Sequence, residues 1–292
     1  MILSEYFDEK SVEKDGGFEI LGLCLTKLNN TLTFIDEEKY LDEVNNNKNI
    51  KSIICTENIF SKINRSDIGI VIDRYPRYTF FKLHNKLNDS KYKKNFISSS
   101  AIISENAIIG DRNIYIGDNV IVKDFAVIKE NTYINKNTII NEGCIIGNDG
   151  FEYKKHNEGI LKVNHYGSVV IEEDIEIKEY VTIHKSLFSW DSTKIGKNTK
   201  IDAHTHIAHG TKIGKNVMIG SNSNIAGNVN IGNDVFIGPS ATVTNRINIA
   251  HNCKVTLGAV VTRNLESNQT VSGNFAIDHD NYVKHIKSIR NG

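Results

Sequence analysis

Residues 195–243 read IGKNTK IDAHTH IAHGTK IGKNVM IGSNSN IAGNVN IGNDVF IGPSAT V, and every block of six opens on Ile until Val243 takes its place. The register extends in both directions. From Ile171 through Ile177, Ile183, Ser189, Ile195, Ile201, Ile207, Ile213, Ile219, Ile225, Ile231, Ile237, Val243, Ile249 and Val255 to Val261, Ser189 is the one position that is neither Ile nor Val. A period of six matches neither the 3.6-residue repeat of a helix nor the alternation of an ordinary long strand. It fits short strands that turn a corner every six residues. Three blocks then close one triangular coil of about 18 residues, and coils stack at the inter-strand distance of about 4.8 Å. Gly, Asn and Asp gather after each Ile, as in TKIGKN and VNIGND, because such residues tolerate the positive φ of a tight corner.

The same phase appears earlier at Ile103 and Ile109, slips by one residue to Ile116, and continues through Val122, Ile128, Ile134, Ile140 and Ile146. The coil is therefore expected over residues 98–271. Between Ile146 and Ile171 the repeat lapses, and residues 147–167 read as an excursion from a corner. Residues 1–97 lack the register and mix apolar strands (FEILGLCL, TLTFI, SIIC, IGIVI) with amphipathic segments such as YPRYTFFKLHNKL, which describes a separate α/β domain. In the tail, 272–292, apolar positions at Tyr282, Val283, Ile286 and Ile289 fit one short helix, expected to cap the open end of the coil. The fold class expected is mostly β: a parallel β-helix with an N-terminal α/β domain and a short C-terminal helix.

Composition narrows the function by exclusion. The 292 residues carry 35 basic and 35 acidic side chains, so no global charge announces a nucleic-acid or anionic-membrane partner. No run approaches the length of a membrane span. Four cysteines, Cys24, Cys55, Cys144 and Cys253, are scattered without a CxxC pair, and no secretory signal is read at the start. This argues against a disulfide framework or a zinc knuckle and leads to the expectation of a reducing cytoplasm.

Several segments resemble one family, the UDP-3-O-acylglucosamine N-acyltransferases of lipid A synthesis. TLTFIDEEKYLDEV and DIGIVIDRYPRYTFFKLHNKL look like that family's N-terminal uracil-binding unit, and IIGNDGF, KIDAHTHIAHGTKIG and IAGNVNIG are similar to landmarks of its coil. The resemblance implies a left-handed β-helix, a homotrimer and acyl transfer to an amino group. Three departures stand beside it. The chain stops about one helix after VSGNFAID, where the family carries a longer extension that recognises acyl carrier protein. Arg246 stands where spacing from His209 expects a further histidine, and Glu37 stands where the family has Asn between its pocket aromatics. These changes point toward the related enzymes that N-acylate UDP- or dTDP-linked amino-deoxy sugars for O-antigen or other surface glycans. The expected donor is acyl-CoA, with acyl-ACP as the alternative of the lipid A role.

Attack of an amine on a thioester needs a base and a donor for the developing oxyanion. The resemblance selects His209 in IAHG as the base. Eighteen residues before it lies Asp191 and 18 after it Gly227, so the repeat places the three on successive coils. Asp191 is expected to orient the imidazole and the Gly227 N–H to receive the oxyanion. The resemblance makes Phe34 and Tyr40 a base-stacking pair, with Glu37 between them as an acceptor for the pyrimidine N3 hydrogen. Lys212, Lys215 and Arg246 are candidates for the pyrophosphate or the CoA phosphates.

Two rival readings are open. The histidines of AHTHIAHG, His204, His206 and His209, locally resemble the γ-class carbonic anhydrases, but the third zinc ligand is missing by spacing, and no metal is expected. A non-catalytic sugar-nucleotide-binding scaffold is the other.

Overall fold

The six-residue register becomes three parallel sheets wound from one chain. In the computed structural model, which describes residues 1–87, 92–157, 159–273 and 278–290, the sheets hold nine, eight and eight strands. Each two-residue strand from Lys200–Ile201 to Val260–Val261 contributes one inward side chain. Ile195, Ile201, Ile207, Ile225 and Ile237 are fully buried, and the inward Ile and Val residues form one continuous core. Burying each such side chain contributes roughly 1.5–3 kcal/mol, so the repeat itself supplies the stability of this left-handed β-helix.

The corners explain the Asn content. Asn198, Asn216, Asp234 and Asn252 all have φ between 55° and 59°, one above another. Their side chains continue the stack: Asn198 Nδ2 donates to Asn216 Oδ1 at 3.0 Å, and Asn216 Nδ2 to Asp234 Oδ1 at 2.9 Å. Buried threonines serve the other corner positions. Thr199 and Thr211 hydroxyls donate to the carbonyls of Gly214 and Ala226 on the next coil, at 3.0 and 2.9 Å.

Strand partners expose three departures from the 18-residue coil. Ile121 pairs with Ile102 and Phe96 with Tyr115, a spacing of 19 that corresponds to the slip before Ile116. Thr132 pairs with Val169, a spacing of 37 that contains the excursion. The third is invisible in the register: Ser168 pairs with Ser192 and Thr182 with His206, a spacing of 24. Six inserted residues preserve a phase of six, so Ser189 only looked like a coil position.

The chain divides into two compact units: 1–91 with 151–166 and 187–190, and the remainder. The sequence places the excursion in the coil; most of it, and residues 187–190 of the insert, fold with the N-terminal unit. The physical reason is apolar: Val163, Leu187 and Phe188 join Leu32, Ile54, Val71, Phe80 and Phe81 in one buried cluster. The hairpin Tyr153–His156 with Gly159–Lys162 adds Lys154 over the Phe81 ring at 4.5 Å and His156 stacked on Tyr78 at 4.1 Å.

The sheet of this unit runs in the order Val12–Lys14, Gly69–Ile72, Ile50–Cys55, Thr31–Ile35, Ile20–Leu21, parallel except for the first strand. Alternation splits its residues between two clusters: Leu32, Ile54 and Val71 on one face with helix Pro76–Lys86, and Ile35, Ile53, Cys55 and Ile70 on the other. Pro76 at the first turn starts that helix without losing a hydrogen bond. The four cysteines are buried and unpaired, and burial pushes the Cys55 and Cys144 thiols up to about 12. Among the described residues, no helix is long and apolar enough to cross a membrane.

The tail forms the helix His279–Arg290, but none of its residues is buried. Of its four apolar positions, Val283 and Ile286 are half-buried, and Tyr282 and Ile289 are 52% and 63% exposed.

Candidate active site

His209 and Gly227 occupy the same corner on consecutive coils, between the strand His206–Ile207 and the strand Lys212–Ile213 in the lower of the two. The Asn228 N–H donates to the His209 carbonyl at 2.9 Å, and the Arg246 N–H to the Gly227 carbonyl at 3.1 Å, which ties three coils together here. The imidazole lies against the α-carbon of Gly227. A Cβ added there would stand 2.9 Å from Nε2, 3.1 Å from Cε1 and 3.3 Å from Cδ2 of His209. Gly227 has no positive φ, so the ring rather than the backbone demands glycine. Its N–H has no acceptor among the described residues, leaving a donor beside the imidazole.

Asp191 precedes the same corner one coil earlier, with its carbonyl accepting from Ser168 N–H at 3.1 Å. Its carboxylate is held by a lysine: Lys212 Nζ is 2.6 Å from Oδ1 and also donates to the Ser192 carbonyl. The side chain expected to orient His209 thus anchors Lys212. Lys212 and Lys215 line a shallow groove of about 420 Å³ that also touches Lys194, Asn230 and His251. Lys194 is paired with Glu172 at 2.7 Å, whereas Lys215 makes no ion pair among the described residues. Arg246 shares the His209 corner, with a φ of 62°. The structure therefore brings Asp191, His209, Gly227, Lys212 and Arg246 to one corner and puts Lys215 on the next.

Two further histidines lie near His209. The ring of His184 meets that of His206 edge-on, 4.7 Å between centroids. Burial holds His206 below the ordinary imidazole value, with the charge of His209 adding to the effect. Burial and then the neighbouring His206 and His209 bring His184 down to about 4. Near neutral pH both are uncharged rings beside His209. Lys185 pairs with Asp149 at 3.1 Å at the same level. Sequence reasoning missed His184 because it counted 18 residues back; with the insert, Thr182 lies under His206, and His184 follows within reach.

The insert also revises the zinc arithmetic. His204 belongs over Tyr180, and their rings stack at 5.1 Å and 9°. Among the described residues, no group of three or more His, Cys, Asp or Glu is arranged to hold a metal ion.

In the N-terminal unit the expected aromatic pair is not assembled. Phe34 packs against Phe80 at 5.0 Å with the helix Pro76–Lys86, while Tyr40 packs on the opposite cluster with Ile35 and Ile53. Glu37 is engaged by Lys39 at 2.6 Å and Arg77 at 3.3 Å, and the Lys39 bond holds its carboxyl below the usual range. Phe34 lies on the strand Thr31–Ile35 and Tyr40 on the short helical turn Glu38–Tyr40 beyond it, and nothing in the spacing of 34, 37 and 40 alone reveals their separation.

Residues 192–227 match the family model of the bacterial transferase hexapeptide (six repeats). The UDP-3-O-acylglucosamine N-acyltransferase of Protochlamydia amoebophila is 44% identical over 66 residues, which are 22% of this chain and 18% of that one. That of Rhizobium rhizogenes is 39% identical over 64 residues, with the same shares. The chain thus matches less than a fifth of the length of these relatives. Among solved structures, LpxA from Acinetobacter baumannii aligns over 68% of this chain and 75% of its own at 22% identity and a TM-score of 0.51. The UDP-N-acetylglucosamine acyltransferase of Francisella novicida aligns over 65% and 71% at 23% identity and a TM-score of 0.52. Both likenesses are of fold. The period, the parallel coil and these likenesses give the chain the fold of a left-handed β-helix, and residues 192–227 carry the hexapeptide-transferase repeat.

Proposed function

We propose that the chain is an N-acyltransferase that moves an acyl group from acyl-CoA to the amino group of a UDP- or dTDP-linked amino-deoxy sugar. The observation that carries the reading is the imidazole of His209 lying against Gly227. His209 takes a proton from the amine as its nitrogen attacks the thioester carbonyl. The Gly227 N–H meets the oxyanion of the tetrahedral intermediate. The C–S bond then breaks, the thiolate takes the proton from the imidazolium, and an amide and free CoA leave. His184 and His206, kept uncharged, line the approach without competing for charge.

Lys212, set by Asp191, and Lys215 offer the groove along their face to the phosphates of an anionic substrate, and Arg246 offers a third cation at the same corner. Local likeness to UDP-3-O-acylglucosamine N-acyltransferases supports an amine acceptor on a nucleotide sugar. On this reading the reaction belongs to the cytoplasm, with surface glycan synthesis as its purpose and a homotrimer as the expected assembly.

The test is thiol release measured with several acyl-CoAs and acyl carrier protein thioesters as donors and UDP- and dTDP-amino sugars as acceptors. Turnover with a CoA thioester and an amino-deoxy sugar is expected. Activity confined to a carrier-protein donor and UDP-3-O-acylglucosamine restores the lipid A role. Binding of the sugar nucleotide without turnover of any thioester makes the chain a scaffold instead.

A further inference from the structure

Ser189, the one break in the register, sits in the insert, and residues 187–190 of that insert are folded into the N-terminal unit. A repeat abandons its own rule where another demand outweighs packing. Here Phe188, Ser189 and Trp190 build one wall of a cavity of about 280 Å³, which Leu21, His84, Tyr166, Glu19 and Met1 of the same unit also line.

The cavity presents ring faces. Trp190 Nε1–H donates to the Leu21 carbonyl at 2.9 Å, and the Tyr166 hydroxyl to the Asn85 carbonyl at 3.0 Å. His84 Nε2 lies 2.9 Å from the Asn164 carbonyl; a carbonyl only accepts, so that nitrogen carries the proton and Nδ1 is left as an acceptor. These bonds fix each ring within the protein. Phe188 and Trp190 stack at 5.2 Å and 6°. Phe188 is buried, whereas Trp190 is 40% exposed, so the tryptophan has surface left for a guest. Glu19 is the charged side chain of the lining; it is exposed and makes no ion pair among the described residues. Flat aromatic walls beside the Glu19 carboxylate suit a planar ring that carries an N–H on its edge.

We infer that this cavity, rather than the separated Phe34 and Tyr40, holds the base of the nucleotide-linked sugar, stacked on Trp190 with a ring N–H donated to Glu19. The inference rests on the nucleotide-sugar reading above. Uracil, thymine and guanine offer such a ring hydrogen; adenine presents a bare ring nitrogen there and has only its amino group to donate, so it is expected to bind more weakly.

Trp190 is the only tryptophan of the chain, so its fluorescence reports this cavity alone. The full chain is titrated with UDP, dTDP, GDP and ADP while tryptophan emission is followed, and affinities are measured in parallel by calorimetry. At least one of the first three is expected to quench emission saturably. Trp190→Ala then raises its Kd roughly tenfold, as loss of a base-stacking ring does. Glu19→Gln, an exposed change that leaves the fold intact, raises it by a similar factor through loss of a charge-assisted hydrogen bond. Calorimetric binding with silent fluorescence and unchanged affinity in both variants overturns the cavity while the nucleotide-sugar reading survives. Quenching by ADP as strong as by the others overturns the choice of base. No binding of any of the four overturns both.

Discussion

His209 Nε2 stands 2.9 Å from the point where a side chain on Gly227 would begin. The glycine is fixed by the histidine, since its own φ is ordinary. Gly227→Ala should therefore fold normally and displace the imidazole, by enough to cost about 100-fold in kcat on the scale of a misplacement near 1 Å. Thiol release and thermal melting measured together check this. An alanine variant with wild-type turnover would sink the proposed pairing of base and oxyanion donor.

His209→Ala should lower acyl transfer by about 10²- to 10⁴-fold, the usual contribution of a general base. The coil core contains no part of this side chain, so the melting temperature should barely move. A loss of rate accompanied by a large loss of stability would instead make His209 a structural corner residue.

Asp191 and Lys212 lead to a split between kinetic constants. With its carboxylate bonded to Lys212 at 2.6 Å, Asp191 acts through the position of that cation. Asp191→Asn and Lys212→Met should each raise KM for the phosphate-bearing substrate several-fold with kcat nearly unchanged, the mark of lost uniform binding. The double variant should be no worse than either single one. A fall in kcat for Asp191→Asn with KM unchanged would return Asp191 to the orienting role read from its spacing.

Much of this was legible because a period of six survives in single residues: Ile195 to Val243 alone specify inward side chains, strand direction and corners. The same arithmetic placed Asp191 and Gly227 on the His209 corner. It failed where an insertion equals the period. Ser189 kept the phase while leaving the coil, which hid His184 from the site and assigned Trp190 to the wrong unit. The aromatic pair failed for a different reason. Phe34 and Tyr40 are a plausible distance apart in sequence, but one lies on a strand and the other on the short helical turn beyond it, in opposite clusters, and only packing decides that. Lys212 could not be assigned to Asp191 from sequence either, since a flexible side chain chooses among nearby acceptors after the coil has formed.

The corner ladder can be separated into backbone and side-chain parts at Asn216, whose φ is 55°. Asn216→Gly keeps that conformation and loses the side-chain bonds to Asn198 and Asp234. Asn216→Ala loses the bonds and also pays the left-handed penalty of about 1–2 kcal/mol. Chemical denaturation should therefore rank wild type above glycine above alanine. Equal stability of the two variants would show that the corner does not strain a side chain.

The histidine cluster ties stability to pH. Unfolded, His184 takes up its proton around 6.5; folded, burial and the adjoining His206 and His209 delay that to about 4. Between these values the unfolded chain binds more protons, so folding stability falls as the pH is lowered from 6.5 toward 4 and is fully present above 6.5. His206 is shifted in the same direction and adds to the slope. Melting temperatures between pH 7 and pH 5 isolate the effect, because most carboxylates titrate lower. His184→Gln, which keeps a polar side chain and cannot titrate, should flatten the profile over this interval. If the variant loses stability as steeply as the wild type, the uncharged cluster beside His209 does not exist in solution.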